Sequence, residues 1–98
     1  MAEYKIGVCC TFGAGSSLML KMNLDSVFKR MGVNAEVEVF DISSIKGMAS
    51  ELDAVFTSAA LSQEVQSSVD GTNAIVIPVI NYFDLDGLEV LAKENLIK

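Results

Sequence analysis

Apolar residues fall into two kinds of pattern along this chain, and the two kinds alternate. Tyr4 to Cys9, Ala54 to Thr57 and Ala74 to Ile77 are short apolar runs, while Ala35 to Phe40 switches between apolar and polar at every step. Stretches of that length are strand-sized, and continuous ones suit strands buried on both faces. Between them the spacing turns helical. Leu20, Leu24, Val27, Phe28 and Met31 stand at offsets 0, 4, 7, 8 and 11, one face of a 3.6-residue period. That predicts a helix over 16–31, stopped by Gly32. A short helix or turn is expected within 43–51. A helix over 63–69 is expected behind a Ser62 cap and ahead of Asp70-Gly71. A last helix begins at an Asp84 cap and carries Leu88, Leu91 and Leu96. Pro78 is read as the end of the fourth strand.

Strand then helix, four times over, implies crossover connections and a parallel sheet. The expected fold is therefore α/β, a three-layer sandwich around a four-stranded parallel sheet. Residues 1–98 are read as a single domain, since 98 residues support one core. In such sheets ligands sit beyond the carboxyl ends of the strands, where the strand order reverses. The first strand runs straight into Cys10.

Composition narrows the chemistry. The chain is 51% hydrophobic, which excludes disorder, and its net charge of −6 argues against nucleic-acid binding, which needs a basic face. No apolar run reaches the roughly 18 residues of a membrane span, so no direct membrane insertion is expected, and no secretory signal is read at the start. There is no histidine, which removes Ser-His-Asp and Cys-His catalysis and the common zinc sites. No metal or cofactor is expected. The two cysteines, Cys9 and Cys10, are adjacent, a spacing that rarely forms a disulfide. With no signal this reads as a cytoplasmic chain with thiols.

One segment carries candidate chemistry: Cys10-Thr11-Phe12-Gly13-Ala14-Gly15-Ser16-Ser17. It joins the first strand to the longest helix. A helix start presents unpaired N–H groups and about half a positive charge, which suits an anion. Gly13 and Gly15 are expected to take positive φ and curl their amides round a phosphate. Ser16 and Ser17 are expected to supply hydroxyls and an N-cap. A thiol at such a mouth is a nucleophile with a lowered pKa. An ordinary Gly-Ser turn after a buried cysteine explains the same residues without chemistry. The Walker pattern is missing its lysine, and the third glycine of a dinucleotide fingerprint is replaced by Leu18. A cysteine-phosphatase loop places an arginine six positions after its cysteine; here that position is Ser16, and the only arginine is Arg30. A site lacking that cation stores a phosphoryl group better than it hydrolyses one.

The stretch from Val8 through Cys10, Gly13, Gly15, Ser16 and Ser17 to Lys21 and Met22 resembles the enzyme IIB components of the bacterial phosphoenolpyruvate-dependent sugar phosphotransferase system. The likeness is greatest to the ascorbate branch, then the galactitol branch. It implies a fold like that of low-molecular-weight tyrosine phosphatases, in the flavodoxin-like class. It also implies that Cys10 takes a phosphoryl group from a histidine of a IIA protein and passes it to a sugar carried by the membrane component IIC. The amides of Thr11, Phe12, Gly13, Ala14, Gly15, Ser16 and Ser17 hold the phosphate in that scheme. Cys9 is expected to end the strand and point into the core. Met19 and Met22 are candidates for a docking face, Lys21 is expected to lie in water, and Phe12 either packs under the loop or meets a partner. The competing readings are a stand-alone phosphatase or arsenate reductase of similar fold, a non-catalytic anion-binding module, and a redox pair.

Overall fold

A computed structural model describes residues 4–9, 13–81 and 83–96, save the side chains of 13–17, 42 and 60. Strands β1 (Tyr4–Cys9), β2 (Ala35–Val39), β3 (Ala54–Ser58) and β4 (Ile75–Val79) alternate with helices α1 (Gly13–Met31), α2 (Ile42–Met48), α3 (Ser62–Val69) and α4 (Leu85–Asn95). The strands form one sheet in the order β2-β1-β3-β4, and every neighbouring pair is parallel. The α/β expectation holds.

Two apolar layers flank the sheet. Ile6, Val8, Phe56 and Ile77 meet Leu20, Leu24, Val27 and Phe28 of α1 and Leu88 and Ala92 of α4. On the other face Cys9 and Val55 meet Ile45 and Ala49 beneath α2, and Val65 and Val69 of α3. Alternation along β1 and β3 sends successive side chains to opposite layers. Short runs with few polar residues are what two covered faces require. Gly7 lies where a Cβ would come within 2.9 Å of Leu52 Cδ1 and 3.3 Å of Phe40 Cδ2, so its lack of a side chain lets that second layer close down on the sheet.

Helix ends follow local chemistry. Gly32 takes φ +73°, and Val33 N–H donates to Phe28 O at 2.9 Å, the six-to-one bond that closes a helix over a left-handed residue. Asp84 caps α4 by accepting from Gly87 N–H at 3.0 Å. Asp41 caps α2 by accepting from Ser44 N–H at 2.9 Å. Hydrogen bonds from Ser44, side chain first and then backbone, and from Ser43 hold the Asp41 carboxyl below its ordinary range.

Three boundaries differ from expectation. Ser62 is not a cap: a single 3-10 turn over Ala59–Leu61 precedes it, it opens α3, and its hydroxyl donates to Ala59 O at 2.9 Å. Pro78 does not end β4 but lies inside it, level with Thr57. β4 is an edge strand, where a missing N–H on the outer side costs nothing. The third difference, the start of α1, bears on the site.

Candidate functional site

The order β2-β1-β3-β4 means the chain leaves β1 to one side, then recrosses to place β3 on the other. The reversal lies at the carboxyl ends of β1 and β3, the place where open parallel sheets bind ligands. β1 ends at Cys9 and α1 opens at Gly13, so Cys10 is bracketed between the end of a central strand and the start of the longest helix. Cys10, Thr11 and Phe12 themselves lie outside the described residues.

α1 starts three residues earlier than the apolar spacing predicts. Gly13 and Gly15 are therefore in helical backbone, and the positive-φ residues among those described are Gly32 and Gly71. The expectation of a left-handed glycine curl is corrected. The reason is that the first four N–H groups of a helix need no internal acceptor, so glycine is tolerated there and the backbone stays right-handed. Ser16 and Ser17 fall inside the helix, not at its cap. The amides of Gly13, Ala14 and Gly15 thus stand among the unsatisfied donors of the α1 terminus.

The charges on α1 are ordered to match. Its first turn carries no acidic residue, and its last turn carries Lys29 and Arg30. The positive end of the helix dipole is left uncompensated by carboxylates, and the negative end is answered by cations. Arg30 is fixed there: its Nε donates to Glu89 Oε1 at 2.9 Å and its Nη2 to Asp86 Oδ1 at 3.0 Å. Lys93 joins through Glu89 Oε2 at 3.0 Å. Arg30 stands 17 residues beyond Gly13 along α1, about 25 Å at the helical rise.

At the end of β1 Cys9 is buried in the layer under α2 and α3, as expected of the strand's last residue. Its register partner is Thr57. Thr57 is fully buried, and its hydroxyl oxygen has no hydrogen-bond partner among the described residues. A buried hydroxyl without a partner costs about 1–3 kcal/mol. Sequence reasoning missed it, because a β-branched residue in an apolar run reads simply as a strand former.

Exposed apolar side chains gather near the same edge. Leu18, Met19 and Met22 project from the first half of α1 into solvent, Met22 being 56% exposed. Beyond the carboxyl end of β4, Ile80 and Phe83 are 92% and 67% exposed. Lys21 is not simply solvated; its Nζ pairs with Asp25 Oδ2 at 2.8 Å. Among the described residues no helix is long and apolar enough to cross a membrane.

Comparison with known proteins fits this geometry. The chain is 28% identical over 75 residues to the ascorbate-specific PTS system EIIB component of Mycoplasma pneumoniae, a match covering 76% of each chain. The lactose-specific IIB domain of the phosphoenolpyruvate:carbohydrate phosphotransferase system from Streptococcus pneumoniae superposes with a TM-score of 0.74, covering 96% of this chain and 98% of that one at 14% identity. The solution structure of an uncharacterized protein superposes at 0.53 over both full chains, with 17% identity. At those identities the two structures speak for the fold. The model of the lactose/cellobiose-specific IIB subunit of the PTS system matches residues 5–93, a span that includes Cys10, and the chain therefore belongs to that family of sugar phosphotransferase components.

Proposed function

We propose that residues 1–98 form one phosphoryl-carrier domain, in which Cys10 accepts a phosphoryl group from the phosphohistidine of a IIA protein and passes it to a sugar during transport by IIC. The observation that carries this reading is the junction itself. In a chain of the IIB family a cysteine stands between a central strand's carboxyl end and a helix whose first turn is free of carboxylates. The amides from Thr11 to Ser17 hold the phosphoryl oxygens, with those of Gly13 to Gly15 supplied by the open start of the helix.

The chemistry needs little else. The Cys10 thiolate attacks phosphorus, the S–P bond forms, and the N–P bond of the partner breaks as its imidazole leaves with the electron pair. In the second step a sugar hydroxyl oxygen attacks phosphorus, the S–P bond breaks, and the thiolate is regenerated. The hydroxyl proton goes to a base on IIC, since this chain has no histidine and the loop holds no carboxylate. The transferred group is loose in the transition state, so catalysis is positioning and N–H donors aimed at three oxygens.

The exposed Leu18, Met19 and Met22 suit a surface that meets two partners in turn. The interfaces are small and transient, because tight ones stall a relay. L-ascorbate is the proposed sugar, supported by the 28% identical relative, although the matching family model carries the lactose/cellobiose description. The working place is the cytoplasmic side of the membrane, reached through IIC.

The second reading, a stand-alone cysteine phosphatase or arsenate reductase, is disfavoured by Arg30, which is tied to α4 far along α1. The test is to offer the protein a phosphorylated IIA protein and, separately, an aryl phosphate. The carrier reading expects stoichiometric labelling from the first and no appreciable turnover of the second. Rapid hydrolysis of the aryl phosphate without labelling supports the hydrolase instead.

A further inference from the structure

Two Asp-Gly pairs occur in this chain, Asp70-Gly71 and Asp86-Gly87, and the fold treats them differently. Glycine has no side chain to shield its backbone nitrogen, so in either pair that nitrogen is free to approach the carboxyl carbon of the aspartate before it. In Asp86-Gly87 both groups are held. The pair lies in the first turn of α4, where Gly87 N–H donates to Asp84 Oδ1 at 3.0 Å and Asp86 Oδ1 accepts from Arg30 Nη2 at 3.0 Å.

Asp70-Gly71 is the opposite case. α3 ends at Val69, and Thr72 N–H donates to Val69 O at 3.0 Å, so the pair forms the centre of a β-turn. Asp70 has φ −55° and ψ 136°, and Gly71 has φ +84°, the angles of a type II turn. Both residues are exposed, and a Cβ on Gly71 would meet nothing within 4 Å. Among the described residues no hydrogen bond or ion pair engages the Asp70 carboxyl or the Gly71 N–H. The turn is closed from outside the pair, since Thr72 Oγ1 also donates to Val69 O at 2.6 Å. The peptide plane between Asp70 and Gly71 is therefore able to swing while Val69 and Thr72 stay bonded, because glycine accepts φ of either sign.

We propose that Asp70 is a modification site, where the folded protein isomerises spontaneously to isoaspartate. The Gly71 nitrogen forms a bond to Asp70 Cγ, and its proton leaves with the carboxyl hydroxyl as water, giving a succinimide. Water then adds to one of the two ring carbonyls and the C–N bond there breaks. Opening at Cγ restores aspartate. Opening at the backbone carbonyl leaves the chain running through Cγ, with one extra backbone carbon in the turn before β4. That turn lies at the end of the parallel sheet away from Cys10, so the inference stands apart from the carrier reading.

The experiment holds the full chain at neutral pH and body temperature for several weeks, folded in one sample and unfolded in urea in the other. Isoaspartate is located by peptide mapping and counted with an isoaspartyl carboxyl methyltransferase. In the folded protein Asp70 is expected to isomerise at least about tenfold faster than Asp86, whose reaction must first break a helical hydrogen bond and an ion pair. In urea the two sites are expected to react at similar rates, and Asp70→Glu is expected to remove the folded-state signal. Absence of isoaspartate at Asp70 in the folded protein, or equal amounts at both sites, overturns the proposal. A preference for Asp70 that persists undiminished in urea also overturns it, because neighbouring residues and not the turn then set the rate.

Discussion

Arg30 donates from Nε to Glu89 Oε1 at 2.9 Å, which ties the chain's single arginine to α4 at the end of α1 away from Cys10. The pair shifts both partners: the hydrogen bond to Glu89 raises Arg30 above its ordinary value, and hydrogen bonds from Lys93 and then Arg30 hold Glu89 below its own. Surface pairs of this kind contribute little and are screened by salt. Arg30→Gln is expected to lower Tm slightly at low ionic strength, to match wild type near 1 M salt, and to leave labelling of Cys10 unchanged. A large loss of transfer in Arg30→Gln contradicts the assignment of this residue to structure.

Glu89 and Asp41 contribute to the acid limb of stability. Both are depressed in the folded protein, so the unfolded chain binds protons first as pH falls. Their contribution is complete above the ordinary carboxylate range and is lost as pH drops through the depressed values. Arg30, raised from an already high value, adds no slope in the accessible range. Glu89→Gln is expected to flatten the fall in urea midpoint between neutral and acid pH; an unchanged slope shows that the pair does not report on folding.

Phe28 and Phe56 meet edge to face, with ring centroids 6.4 Å apart and planes at 81°. Both are buried, one on α1 and the other on β3, so the contact locks the helix to the sheet. Phe56→Ala is expected to cost about 3–5 kcal/mol, a large share of the stability of a small domain. Phe56→Leu, with less volume lost, is expected to cost under about 1.5 kcal/mol. Urea denaturation checks both, and near-neutral effects contradict the packing described.

Met22 is half exposed on the turn of α1 that faces solvent near the site. Met22→Glu is expected to leave stability within about 0.5 kcal/mol of wild type while slowing transfer from the IIA partner, and Met22→Leu is expected to preserve it. Equal rates for all three proteins show that docking uses another surface.

Much of this fold was legible because buried parallel strands write themselves as short apolar runs and α1 repeats Leu20, Leu24, Val27 and Phe28 at helical spacing. Asp84 and Gly32 were legible as a cap and a stop because each role depends on one residue's own chemistry. The errors have physical causes. Gly13 and Gly15 pointed to a loop, but a helix's first turn makes no demand on helix propensity that glycine fails. Pro78 pointed to a strand end, but β4 has an open outer side. Ser62 pointed to a cap, but the 3-10 turn before it had already started the helical path. At the site, the pairing of Cys9 with the core was readable from alternation. The hydroxyl of Thr57 was not, because its meaning lies in the register between β1 and β3, which no local pattern records.

The most direct test compares Cys9→Ala and Cys10→Ala after incubation with a phosphorylated IIA protein, followed by mass spectrometry. The account predicts an adduct of about 80 Da on the Cys10 side chain in wild type and Cys9→Ala, and none in Cys10→Ala. Labelling that survives Cys10→Ala, or that appears on Cys9, contradicts it.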